Sequence, residues 1–290
     1  MSLTRTSRRL AGSVAAAAGA AAVAALTITA PATAAPTWAP ADTADITPGV
    51  QMYTDGAQCT ANFVFADGAG NTYVGYAAHC AGLGEATDTN GCDAGSLPLG
   101  TRVTFARGGS LVSEGTTVGH GTLAYSSWLT MQDRGETDEN TCAYNDLALV
   151  KVDAADVAKV NPSIPFWGGP VAVNTDGTAA GDRVYSFGNS SLRAGIEQLS
   201  PKTGLSLGTE GDGWSHPVYT VSPGVPGDSG SAFLDAEGNA LGTLSTLALA
   251  PLAGSNGVGD LNSELTYAQQ HGGIAGLQLV PGTEPFSPVL

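Results

Sequence analysis

Three polar residues in this chain sit in surroundings that can make them reactive. Ser229 lies in Pro226-Gly227-Asp228-Ser229-Gly230-Ser231-Ala232-Phe233, between two glycines and just before an apolar run. A serine nucleophile needs backbone N–H groups aimed at the oxyanion it creates, and small neighbours let those groups approach the substrate. Gly227 has no Cβ to obstruct that approach. The same four residues are also ordinary turn chemistry. His79 closes the strand-like run Tyr76-Ala77-Ala78-His79-Cys80 and can accept a serine's proton. Asp146 opens the apolar run 147–152 and can hold an imidazole in one tautomer. Each also has a bland reading, the histidine as a structural residue and the aspartate as a turn residue.

The elements that would carry these residues read as short strands. Apolar or alternating runs occur at 59–66, 72–77, 101–106, 121–131 and 146–152. After a non-alternating stretch with three prolines at 153–170, they resume at 171–173, 183–187, 216–221, 229–234 and 240–247. Residues 67–71 read as a hairpin turn, and Phe65-Ala66-Asp67-Gly68-Ala69-Gly70-Asn71 is echoed by Phe233-Leu234-Asp235-Ala236-Glu237-Gly238-Asn239. Residues 260–270 read as a terminal helix with Leu261, Leu265 and Ala268 on one face.

Ala-Ala-His79-Cys80, Asn145-Asp146-Leu-Ala-Leu-Val and Gly-Asp-Ser229-Gly, in that chain order, resemble the chymotrypsin-like (trypsin-fold) secreted serine proteases of bacteria. Subtilisins and α/β-hydrolases order the three roles differently. The resemblance covers residues 46–275. It implies an all-β fold of two six-stranded antiparallel β-barrels with a short C-terminal helix. The first barrel would span 46–153, a linker 154–170, and the second barrel with its helix 171–290. His79, Asp146 and Ser229 would form the triad in the cleft between barrels. The N–H groups of Gly227 and Ser229 would form the oxyanion hole. It also implies the disulfide Cys59–Cys80, leaving Cys92 with Cys142; the residues alone allow three pairings, or a Cys/His metal site whose usual close spacings are missing. Asp228 pairs with a freed N-terminus in animal members, but no such motif occurs between Ala35 and Cys59, so that partner is absent here. Further departures are Tyr76 for the usual threonine, Val225 for a cysteine, and a long insertion holding Cys92 and Cys142. His120, His216 and His271 read as surface residues.

The implied function is a secreted endopeptidase working through an acyl-enzyme. The alternatives are a catalytically idle binding module of the same fold, or an esterase on the same scaffold. Idle relatives usually lose a triad residue, and all three positions are kept here. By the same resemblance, Pro223 forms the base of the primary pocket and Ser245-Thr246-Leu247 its wall. Ser222, Gly224 and Val225 add no charge. Small or medium apolar residues should be accepted there, and Lys, Arg and Glu rejected.

Composition sets the compartment and the partners. The 290 residues are 42% hydrophobic and 13% charged, with 40 glycines, which suits an all-β chain of one large or two small units. Residues 1–34 read as a signal peptide, with Arg5, Arg8 and Arg9 before an Ala-rich run and Ala32-Thr33-Ala34 as the cleavage site. Arg8-Arg9 leaves twin-arginine export open beside the general route. Residues 35–45 read as an extended, poorly ordered Pro/Ala-rich leader. Removing the signal takes away three arginines and no acid, so the formal charge of −15 becomes more negative still. Such a surface repels nucleic acid and anionic lipid, leaving protein or peptide substrates as partners. A secreted monomer without metal or other cofactor is expected.

Overall fold

In the computed structural model, the described residues are 1–2, 36–83, 90–110, 112–247 and 253–288. The signal-peptide reading therefore lies outside them, apart from the first two residues. No helix among the described residues is long and apolar enough to cross a membrane. Seven strands come from the first half: β1 Gln51–Thr54, β2 Ala57–Thr60, β3 Val64–Ala66, β4 Thr72–Ala77, β5 Arg102–Arg107, β6 Thr116–Ser126 and β7 Leu147–Val152. Six more follow: β8 Ala180–Phe187, β9 Pro201–Leu207, β10 Ser215–Thr220, β11 Ala232–Leu234, β12 Ala240–Leu247 and β13 Asn256–Asp260. A last short strand is β14, Gln278–Leu279. The helices are α1 Ser127–Arg134, α2 Glu139–Tyr144 and α3 Leu261–His271.

Strands β8 to β13 form a closed six-stranded barrel, as expected of the second half. The first half is an eight-stranded sheet in the order β14-β3-β4-β7-β6-β5-β1-β2. It curls on itself, because the chain passes directly from the β2 edge into β3. Ala61 N donates to Val50 O and Asn62 N to Gly75 O along that bend. The single run expected at 59–66 is thus two strands around a corner. Inward residues form the core: Met52, Val74, Val103, Phe105, Leu123 and Val150 in one cluster, and Val184, Val218, Phe233, Leu241 and Val258 in another.

Several expectations need correction. The run at 121–131 changes from strand to helix at Ser127. Trp128 and Met131, three apart, are buried on one face of α1, and Gly135 ends it at φ 64° with Glu136 N bonded back to Met131 O. Residues 171–173 make only an isolated bridge, Val173 to Ala240. The leader is tied down where it is described: Ala39 N donates to Val160 O, and Ala44 is buried. The proline-rich stretch buries Ile164 and Trp167, whose Nε1 donates to Ser186 O at 2.7 Å.

The echoed turns are built alike. Asp67 Oδ1 accepts from Ala69 N and Asn71 N, and Asp235 Oδ1 from Glu237 N and Asn239 N. Both disulfides form as the resemblance implied, Cys59–Cys80 and Cys92–Cys142. Closing loops of 21 and 50 residues contributes about 3 and 4 kcal/mol by the chain-entropy estimate.

Candidate active site

His79 sits two residues past the last pair of β4, in a short 3-10 turn, and Asp146 immediately precedes β7. Because β4 and β7 are paired, with Ala77 opposite Leu147, the two residues leave the same end of the sheet side by side. His79 Nδ1 and Asp146 Oδ2 are 2.6 Å apart. Asp146 Oδ1 accepts the backbone N–H of His79 at 2.8 Å, and Asp146 O accepts that of Ala78 at 2.7 Å. A carboxylate held on both oxygens cannot swing away, so it presents the imidazole with one orientation and one tautomer. Burial pulls the His79 pKa down, but the charge and hydrogen bond of Asp146 outweigh it, and the ring ends above its ordinary value.

Ser229 comes from the barrel, on the loop between β10 and β11. The loop is pressed onto the sheet: Thr60 N donates to Ser229 O at 2.8 Å, and Gly230, at φ 87°, has no room for a Cβ beside Thr60 O and Ala77 N. Ser229 is thus brought against the end of β4, two residues from His79, and is half-buried. Among the described residues no hydrogen bond joins its hydroxyl to the His79 ring. In ligand-free enzymes such a contact is often too long for a hydrogen bond and tightens only when substrate is bound. Gly227 adopts φ 93°, and its carbonyl is turned back to Gln58 Nε2 and Thr60 Oγ1 at 3.0 and 2.7 Å. The N–H groups of Gly227 and Ser229 take no acceptor among the described residues, while those of Asp228, Gly230 and Ser231 are all bonded within the protein.

Asp228, fully buried, has cationic partners that sequence reading missed. Arg193 Nη2 lies 2.5 Å from its Oδ2 and Lys202 Nζ 3.1 Å. Both cations are buried, Lys202 completely. Arg193 also donates to Ser222 Oγ and Pro223 O. Together with the N–H groups of Ser190 and Val225, these two side chains hold the carboxylate. Burial lowers the pKa of Lys202, against the pull of Asp228.

The expected pocket residues fall on two facing segments. Pro223 lies on the loop before Ser229, and Ser245, Thr246 and Leu247 end β12. Ser245 does more than line a wall, since its hydroxyl donates to Asp146 Oδ2 at 2.6 Å. Asn256, buried on β13, spans the two segments: its Oδ1 accepts Gly224 N at 2.8 Å and its Nδ2 donates to Thr246 O at 3.1 Å. Nothing in the glycine-rich run Asn256-Gly257-Val258-Gly259 marked it beforehand. Behind Asp146 stands Glu264 of α3, fully buried and accepting Asp146 N at 3.0 Å.

His216 is not a surface residue. It is fully buried, with Nε2 2.9 Å from Asp260 Oδ2 and Nδ1 3.1 Å from Thr178 Oγ1. His120 and His271 are half-buried, and His271 packs edge-on against Tyr267. Cys59, His79 and Cys80 bring potential ligand atoms within 4.8 Å of one another, but the two sulfurs are bonded together and offer no thiolate to a metal.

No family model matches the chain, and neither does any curated protein. Among solved structures it is similar to Thermobifida fusca protease A, at 20% identity and TM-score 0.49 over 82% of this chain and 99% of that one. It is likewise similar to Nocardiopsis protease, at 18% identity and TM-score 0.46 over 81% and 99%. A chymotrypsin of Cellulomonas bogoriensis follows at 19% identity and TM-score 0.46 over 81% and 98%. Likeness at this level adds nothing to what the geometry carries.

Proposed function

We propose that the chain is a secreted serine endopeptidase that hydrolyses peptide bonds through Ser229, His79 and Asp146. The observation that carries this reading is the His79–Asp146 pair at 2.6 Å, facing a serine loop whose Gly227 and Ser229 N–H groups are unengaged. Ser229 Oγ attacks the scissile carbonyl as His79 Nε2 takes its proton. Asp146 stabilises the imidazolium, and the two N–H groups bind the oxyanion. His79 then protonates the leaving amine, and water repeats the sequence on the acyl-enzyme. Two disulfides and the signal-like first 34 residues support an exported protein.

The primary pocket accepts small or medium apolar residues in this reading. Asn256 bridges its facing walls, and Pro223 places no acid at its base. An arginine or lysine there would be buried without a partner, at a cost of several kcal/mol.

The test is Ser229→Ala beside the wild type. The wild type should label with a fluorophosphonate probe and cut a peptide library. The variant should lose about 10⁴-fold or more in kcat/KM with unchanged circular dichroism and melting. A wild type that neither labels nor cuts is the idle binding module. One that labels and cleaves only esters is the esterase.

A further inference from the structure

Glu264 is a carboxylic acid with no exposed surface, on the helix that follows the barrel. Its Oε1 accepts the main-chain N–H of Asp146 at 3.0 Å, and its Oε2 lies 2.9 Å from the Thr243 hydroxyl. Thr243 Oγ1 in turn accepts Asn62 Nδ2 at 3.2 Å, which links the helix, the barrel and the sheet. Gly259 leaves the space the acid occupies, since a Cβ there would stand 2.5 Å from Oε1. All this is built on the side of Asp146 away from His79. Among the described residues there is no cation among the partners of Glu264, and the serine peptidase reading gives it no role.

We propose that Glu264 is a positioning residue for the triad, its carboxyl holding the backbone of Asp146 so that the aspartate meets His79 in one register. The proposal rests on the reading of His79, Asp146 and Ser229 as that triad. Asp146 accepts from His79 N, the His79 ring and Ser245 Oγ through its side chain. On its N-terminal side the Asn145–Asp146 peptide is held at both polar groups, Ser127 Oγ donating to Asn145 O at 2.8 Å and Asp146 N donating to Glu264 Oε1 at 3.0 Å. Without that acceptor a buried N–H is left unpaired at the base of the catalytic acid.

The ionisable groups facing Glu264 are Asp146, Asp260 and Tyr125, all acids. Burial and these neighbours raise its pKa well above the usual carboxylate range, and the hydrogen bonds it accepts offset only part of that. That shift favours the neutral form of the acid. Thr243 Oγ1 donates to Oε2 while Oε1 accepts from Asp146 N. A neutral acid grips the backbone without placing a second negative charge behind the His79–Asp146 pair. Glutamine can make the same two contacts, and leucine can make neither.

The experiment compares wild type, Glu264→Gln and Glu264→Leu by kcat, KM, the pH midpoint of kcat/KM and the proton resonance of His79 Nδ1. That resonance reads the His79–Asp146 bond whether or not the chain hydrolyses anything. Leucine should lower kcat about tenfold or more with KM within about twofold, and should weaken or broaden the resonance. Glutamine should recover most of both and keep the pH midpoint. If the leucine chain does not fold, Thr243→Val should give a smaller loss of the same kind. Leucine or valine variants with wild-type kcat and an unchanged resonance would overturn the proposal. So would a glutamine variant as impaired as leucine, or one whose pH midpoint falls, which would mean that Glu264 is charged. A wild type without hydrolysis would refute the peptidase reading alone, and the resonance would still decide the role of Glu264.

Discussion

The Asp228 cluster holds two cations against one carboxylate, and this stoichiometry predicts an order of damage. Asp228→Asn leaves Arg193 and Lys202 buried together with no counter-charge. Stranding buried charge in this way costs about 3–5 kcal/mol. Arg193→Met keeps the Lys202 contact at 3.1 Å but removes the guanidinium and its bonds to Ser222 Oγ and Pro223 O. Here the loss should be about 3 kcal/mol, since the carboxylate keeps one partner. Lys202→Met leaves a neutral Arg–Asp pair and fills a fully buried site with an apolar chain of similar length. It should fall within about 1 kcal/mol of wild type on either side. Denaturant midpoints at pH 7 give the order, and on the peptidase reading kcat/KM on a peptide ester follows it, because Asp228 sits between Gly227 and Ser229, whose N–H groups that reading assigns to the oxyanion. If Lys202→Met costs as much as Asp228→Asn, both cations are needed and the charge-balance reasoning fails.

The remaining expectations are shorter. Because Asp146 raises the His79 pKa, kcat/KM should climb with pH through a midpoint above the ordinary histidine value of about 6.5, and a midpoint below 6 would count against this pair. The same shift makes protonated His79 stabilise the fold: that contribution is complete below about 6.5 and disappears as pH rises through the folded-state pKa. Denaturation of Ser229→Ala with and without His79→Gln, across pH 5 to 9, should show it. Ser245→Ala should lower kcat by about tenfold or more with little change in KM, as it removes a charge-assisted hydrogen bond from Asp146. Expression of residues 35–290 should yield active enzyme with no further trimming, and inert protein that awakens only on proteolysis would contradict the Arg193–Asp228–Lys202 arrangement.

What could be read beforehand was whatever is local in the chain. β12 and β4 were legible in full because each run begins directly after a Gly-Asn turn, and α3 was legible because Leu261, Leu265 and Ala268 share one face. The strand β9 was not, because Pro201 and the buried Lys202 disguise it as a polar loop, and in β13 two glycines carry no side-chain pattern. His216 looked like a surface residue because nothing beside it in sequence reveals Asp260, Thr178 and Thr209, which close around it from three separate segments. The triad positions stood out through their neighbours. The residues behind them, Glu264, Asn256 and the cations on Asp228, act through distant partners.

β14 gives the molecule an order of events. This strand, which follows α3, completes the edge of a sheet whose other seven strands are finished by Val152. Glu264, which holds Asp146, is also far downstream. A chain emerging from its amino end therefore carries His79 and Asp146 long before it can seal β3 or seat the aspartate. Until the carboxyl end arrives, β3 offers an open ladder to any passing strand. On the peptidase reading the delay is also a safeguard, since the aspartate is braced only once α3 has been made and the chain stays harmless until then.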